Sequence, residues 1–297
     1  MSLVLPRPAS AHQNGAGIAS MLLAVLLYGL MDALIKVEAA RYPVIEVVFF
    51  RSLFALLPLA LLIRHGGGRK SLATRQPRLQ AIRAVVGFVS LVCFFQAFAL
   101  MPLADVVAIG FAAPMFVTAL SVPLLGEQVG WRRWSAVLTG FAGVLIMVRP
   151  GSGLFGLAAG VALLGTLTYS LSIIIIRRLS ATDGSAPTVA SFTCLSVLGA
   201  GAVLPFYWVT PTPSDWLLLT LTGLLGGAGQ IAFTRAFALA PPVIVAPFDY
   251  ANMLLATALG FAIWGDVPTV AVLVGAAIII ASGLYIVYRE AIRRGAA

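Results

Sequence analysis

Ala97-Phe98-Ala99-Leu100-Met101-Pro102 returns, 139 positions on, as Ala236-Phe237-Ala238-Leu239-Ala240-Pro241. At the same offset Thr118-Ala119-Leu120 meets Thr257-Ala258-Leu259, and Gly126-Glu127 meets Gly265-Asp266. Both copies sit in apolar surroundings of helix length. A duplicated hydrophobic unit with an odd number of spans lies in a membrane in two opposite orientations, the architecture with which many secondary carriers open alternately to the two sides. The repeat therefore predicts an all-α integral membrane protein with ten transmembrane helices, built as two inverted five-helix repeats, and it points to a carrier.

Composition agrees. Of 297 residues, 61% are hydrophobic and only 10% charged, where a soluble domain carries about 25% charged residues. No soluble core could hide so much apolar surface, so the lipid bilayer is the solvent and the first partner. The net charge of +9 is spread through short loops and a tail, which reads as loop charge in a membrane protein and not as a nucleic-acid surface. Cys93 and Cys194 each lie in an apolar run and read as small packing residues, not a disulfide or metal pair. The only histidines, His12 and His65, fall in the N-terminal tail and a basic loop. No buried histidine relay, metal site or cofactor site is expected. The first apolar run is span-length and is followed by Lys36, Glu38 and Arg41, unlike a signal peptide.

Spans are predicted at about 17–37, 44–63, 79–100, 103–125, 133–148, 154–178, 187–209, 214–239, 243–264 and 269–288. Pro43, Gly66-Gly67-Gly68, Met101-Pro102, Arg149-Pro150-Gly151-Ser152-Gly153, Pro211 with Pro213, and Ala240-Pro241-Pro242 mark the cuts. The expected organisation is a tail over 1–16, a first repeat over 17–149, a second over 154–288 and a tail over 289–297. One side of the membrane collects Arg7, Arg64, Arg69, Lys70, Arg75, Arg78, Arg83, Arg132, Arg133, Arg177, Arg178, Arg289, Arg293 and Arg294; the other has Lys36, Arg41 and Arg149. Both termini are thus expected in the cytoplasm. Gly156 with Gly160, and Gly223 with Gly227, are spaced to let helices approach closely.

Ionisable groups at bilayer depth face protein or a watery cavity. Asp32 and Lys36 lie four apart in the first span and are spaced to pair. Glu46 and Arg51 open the second, where Arg51 is placed to reach Asp32 or Glu46. Arg235 and Asp249 flank the Pro241-Pro242 hairpin at similar depth; their first-repeat equivalents are Gln96 and Gly110, so a pair there would belong to the second half alone, as a gate or a clasp. Aromatic and polar residues gather at mid-membrane: Tyr28, Phe88, Phe95, Phe111, Met115, Tyr169, Ser172, Gln230, Phe233, Tyr250 and Asn252. Such a lining suits apolar and aromatic side chains of varied shape, while the hydroxyls and amides suit the ammonium and carboxylate of a zwitterion. Among the carboxylates expected in the cavity, Asp32, Asp105 and Asp249, none repeats at the equivalent site of the other half, so proton coupling and facilitated diffusion both stay open.

Tyr28-Gly29 with Lys36, Phe50-Arg51, the run from Phe94 to Leu100, Pro114, Gly126-Glu127, Gly140 and Gly143, then Arg177-Arg178, Ala238-Leu239 and Gly265-Asp266 resemble the EamA group of the drug/metabolite transporter superfamily over about residues 17–288. Within it the chain is similar to bacterial YddG-like amino-acid exporters. Asp266 departs from the group's usual glutamate, and Met253 stands opposite Pro114, so a mid-span kink is expected in the first repeat only. The resemblance implies a cavity lined by spans one, three, four, six, eight and nine, with spans five and ten at the edge. It implies export of amino acids and related small metabolites across a bacterial inner membrane by alternating access, as a monomer or, alternatively, a homodimer. The alternative cargo is another class, such as cationic drugs, nucleotide-like metabolites or a vitamin. The first span lacks the membrane-centre glutamate that a cation exporter uses. No catalytic residues are expected: no histidine lies in a span and no hydrolase or zinc-protease motif occurs. No ATP-binding motif occurs either, so transport runs down a gradient or couples to an ion. A channel would differ by turnover that never saturates.

Overall fold

In a bilayer each backbone N–H and C=O must find its partner within its own segment, which selects helices. The computed structural model describes residues 11–65, 68, 72–126, 130–148, 154–179, 182–183, 185–240, 245 and 248–295. The first ten residues, Gly66-Gly67, Glu127, the 149–153 join and the Pro241-Pro242 hairpin lie outside them. The α-helices are α1 (Ala11–Ala39), α2 (Val44–His65), α3 (Pro77–Leu100), α4 (Leu103–Gly110), α5 (Ala113–Leu125), α6 (Trp131–Val148), α7 (Leu154–Leu179), α8 (Ser185–Val203), α9 (Pro213–Leu239), α10 (Ala251–Trp264) and α11 (Val270–Gly295). Seven stretches are long and apolar enough to cross a membrane, with α4 and α5 forming one of them over Leu103–Leu125; Trp134–Met147, Ala251–Trp264 and Val270–Tyr285 are shorter apolar helices. The protein is an all-helical, multi-pass membrane protein of ten spans.

The repeat is visible in how helices end. α3 stops at Leu100 and α9 at Leu239, 139 positions apart. Their extended C-cap residues, Met101 and Ala240, send N–H groups to Ala97 O and Ala236 O. α5 stops at Leu125 and α10 at Trp264, each followed by a left-handed glycine, Gly126 at φ +67° and Gly265 at φ +71°, a conformation glycine adopts without a Cβ penalty. α6 opens at Trp131 and α11 at Val270, again 139 apart.

The break inside span four is duplicated as well. Pro114 has no N–H and its ring crowds the preceding turn, and the chain turns at Phe111-Ala112 between α4 and α5. A kink was expected in that repeat alone. Instead, the second repeat turns at Tyr250, the equivalent of Phe111, closed by Met253 N–H to Tyr250 O at 3.1 Å. At the equivalent position both breaks carry an aromatic residue, Phe111 and Tyr250, while Pro114 is matched by Met253.

Two bundles cross the repeats. α1 packs along α9, and its counterpart α7 along α3. The first bundle is α1, α2, α9 and α10; the second is α3, α4–α5, α7 and α8. α6 and α11 pack on each other, where a Cβ on Gly143 would sit 2.9 Å from the Gly275 carbonyl oxygen. Gly223 and Gly227 make the close approach their spacing predicts: a Cβ on Gly227 would fall 2.7 Å from Pro58 Cγ. Gly156 and Gly160 do not, since a Cβ at either meets nothing within 4 Å among the described residues.

Candidate functional site

α2 and α9 belong to one bundle, α3 and α8 to the other, and between them lies a cleft with an open mouth. Its polar wall is Arg51 from α2, Arg83 from α3, Thr193 from α8, and Gln230 and Thr234 from α9. Among the lining residues there is no acid. Gly226 makes room for Arg51: a Cβ there would stand 3.0 Å from Arg51 Nε. Arg51 is 7% exposed and Arg83 9%, and the Nε of each has no hydrogen-bond partner. Arg83 is held in place by Nη1 donating to Thr188 O at 3.2 Å and by its guanidinium lying over the Phe192 ring at 4.6 Å.

Tyrosines and carboxylates stand close to this wall. Tyr28 Oη donates to Gln230 Oε1 at 3.1 Å, and its ring meets Phe233 edge-on at 6.3 Å. The other bundle repeats the motif, with Phe94, the equivalent of Phe233, edge-on to Tyr169 at 6.5 Å. Asp249 is close enough for its charge to act on Tyr28, Tyr169 and Tyr250. Asp32 lies in electrostatic range of Arg51, though not in an ion pair with it. The centre thus brings together two guanidiniums, two carboxylates and three phenols, chemistry suited to a molecule carrying both signs of charge.

The predicted residues disperse around this centre. Gln230 and Arg51 line the described cleft. Tyr28 and Phe233 adjoin it through Gln230, Tyr169 is exposed and meets Phe94, and Phe111 packs on Tyr250, which Asp249 precedes in the chain. Phe95 and Met115 are core residues, and Phe88 packs over Gly199. Ser172 is buried near Gly87, and Asn252 Oδ1 is buried without a partner near Gly29. Spans two and seven flank the cleft, where spans one, four, six and nine were expected, because the glycines of α9 let α2 come close. Arg83, Phe192, Thr193 and Thr234 were missed. Arg83 reads as loop charge from its basic neighbours, yet it stands well inside α3; its distance from Pro77 is the signal that could have found it.

The predicted ion pairs form differently. Lys36 pairs not with Asp32 but with Asp266, at 3.0 Å. Its Nζ also donates to Met101 O at 3.3 Å and stands 4.7 Å from the Trp264 ring. Glu46 does not meet Arg51; its Oε2 accepts the Val209 N–H at 3.1 Å. Among the described residues no ion pair joins Arg235 to Asp249, and the Arg235 side chain is exposed. Reach along a hairpin was the wrong guide, because neighbours from the other repeat lie closer. Among the described residues no group of acids, histidines and cysteines is placed to hold a metal, and both cysteines are free.

The chain matches the EamA-like transporter family over residues 15–149 and again over 156–288, and it belongs to that family. It is 31% identical to the pseudopaline exporter CntI of Pseudomonas aeruginosa, over 89% of this chain and 93% of the relative. It is 24% identical to the S-adenosylmethionine uptake transporter of Rickettsia prowazekii, over 92% and 93%, and 27% identical to the riboflavin transporter of Vibrio cholerae, over 94% and 95%. A solved crystal structure shares the fold at TM-score 0.61 and 18% identity, covering 95% of this chain and 99% of the other. The protein is therefore a secondary transporter of small metabolites and not an enzyme. None of these three relatives is named for amino acids, and one is named for uptake.

Proposed function

We propose that this member of the EamA-like transporter family exports amino acids and related small metabolites from the cytoplasm by alternating access. The observation that carries the reading is the mixed-charge centre. A guanidinium with an unpartnered Nε suits the α-carboxylate, since arginine's planar fork matches a carboxylate's two oxygens. Asp249 suits the ammonium, and the rings of Tyr28, Phe233 and Tyr169 suit a side chain. Units 17–149 and 154–288 are the two repeats, with tails over 1–16 and 289–297 in the cytoplasm of a bacterial cell and the spans in its inner membrane. The protein works as a monomer or, alternatively, a homodimer. With the basic loops on the cytoplasmic side, the cleft, which lies towards that end of the bundle, is loaded from the cytoplasm.

The test is counterflow in liposomes holding the purified protein, with labelled amino acids outside and unlabelled ones inside. Saturable accumulation driven by the internal amino acid supports the reading, and indifference to a proton gradient favours facilitation. No accumulation of any amino acid by folded protein would move the cargo to another class, vitamins and nucleotide-like metabolites first.

A further inference from the structure

Building on the amino-acid reading, we propose that the preferred cargo carries a second carboxylate, so that the cleft takes amino-acid derivatives with at least two anionic groups, one for each of Arg51 and Arg83. Both guanidiniums are more than nine-tenths buried, and each leaves its Nε without a partner in an acid-free wall. A buried cation without a counter-charge is costly. An ordinary neutral amino acid brings one carboxylate and satisfies one arginine. Arg51 has the Asp32 charge within range, whereas among the described residues no carboxylate forms an ion pair with Arg83. Its bond to Thr188 O and its seat on Phe192 fix the guanidinium, and that bond uses one of its five donors. The two arginines also sit on different bundles, Arg51 on α2 and Arg83 on α3. A cargo that answers both therefore bridges the parts that must move against each other, which a single carboxylate does not.

L-glutamate and L-glutamine make the matched probes, since they are close in shape and differ in the second charge. In counterflow with the full-length protein, half-maximal competition by glutamate is expected at about one-tenth of the glutamine concentration, the size of one charge-assisted contact. Arg83→Gln should bring that ratio close to one, and Arg83→Lys should keep glutamate ahead. Structural damage from losing the Thr188 bond would slow both probes alike and leave the ratio unmoved, so the ratio separates recognition from folding. Equal competition by the two probes in the wild type, or an unchanged ratio in Arg83→Gln, would overturn the inference while leaving amino-acid transport standing. Failure of both probes and of every other amino acid would overturn the underlying reading too.

Discussion

Phe111 and Tyr250, equivalent residues of the two repeats, meet ring to ring, edge-on at 4.9 Å between centroids and 75° between planes. Each sits at the turn that interrupts its span, and each belongs to a different bundle, so the repeat axis passes close to a contact between its own equivalent members. Such pairs are worth about 0.5–1.5 kcal/mol beyond buried area. In a thermal-stability double-mutant cycle, Phe111→Ala and Tyr250→Ala should show a coupling of that size, and Tyr250→Phe should be close to wild type. Additive losses would mean that the rings are only neighbours.

α6 and α11 cross through glycine. A Cβ on Gly143 falls 2.9 Å from the Gly275 carbonyl oxygen, and one on Gly275 falls 2.7 Å from that of Gly143. These are backbone atoms that cannot swing aside. Gly143→Ala or Gly275→Ala should therefore destabilise the folded protein by about 1–3 kcal/mol, the usual cost of overpacking. Gly156→Ala, where a Cβ meets nothing within 4 Å among the described residues, is the control and should leave the melting temperature in detergent unchanged.

The fold was legible because its signals are long. An apolar run of span length has few readings, and the copies at Ala97 and Ala236 fixed the repeat and its offset. The site was less legible because its contacts run between repeats. Lys36 meets Asp266 rather than its helical neighbour Asp32, since packing α1 beside α10 brings a distant carboxylate nearer than the fourth residue on. Arg83 was hidden among basic neighbours, of which Arg75 stands before α3 begins. The second mid-span break was missed because proline was taken as its mark, while Tyr250 was read only as a possible cargo contact.

Lys36 ties three segments at one end of the bundles: Asp266 after α10, the Met101 carbonyl at the end of α3, and the Trp264 ring. The bond to Met101 joins the first bundle to the second, whereas the pair with Asp266 stays within the first. Lys36→Met should free that end and shift the resting population towards opening there, read as faster labelling of a cysteine placed at residue 101. Asp266→Asn should do so less, because the Met101 bond survives. The effect on stability is expected within about 1 kcal/mol, as for other partly exposed pairs. Identical labelling of both variants and the wild type would make the cluster a passive clasp.

Asp183 fastens the second bundle at the opposite end. Thr74 Oγ1 donates to its carboxylate, as do the Arg75 N–H and the Gln80 amide, each at 3.0 Å. These bonds, that from Thr74 foremost, favour the charged form and hold its pKa down to about 2 against an ordinary 3.8. A carboxylate depressed in the folded state contributes stability that is complete above its unfolded pKa and is lost as pH falls through the folded one. The wild-type melting temperature should thus drop more steeply between about pH 4 and pH 2 than that of Asp183→Asn. The variant should be less stable at neutral pH, and the two curves should converge near pH 2. Parallel curves across that window would show that the bonds do not depend on the carboxylate's charge.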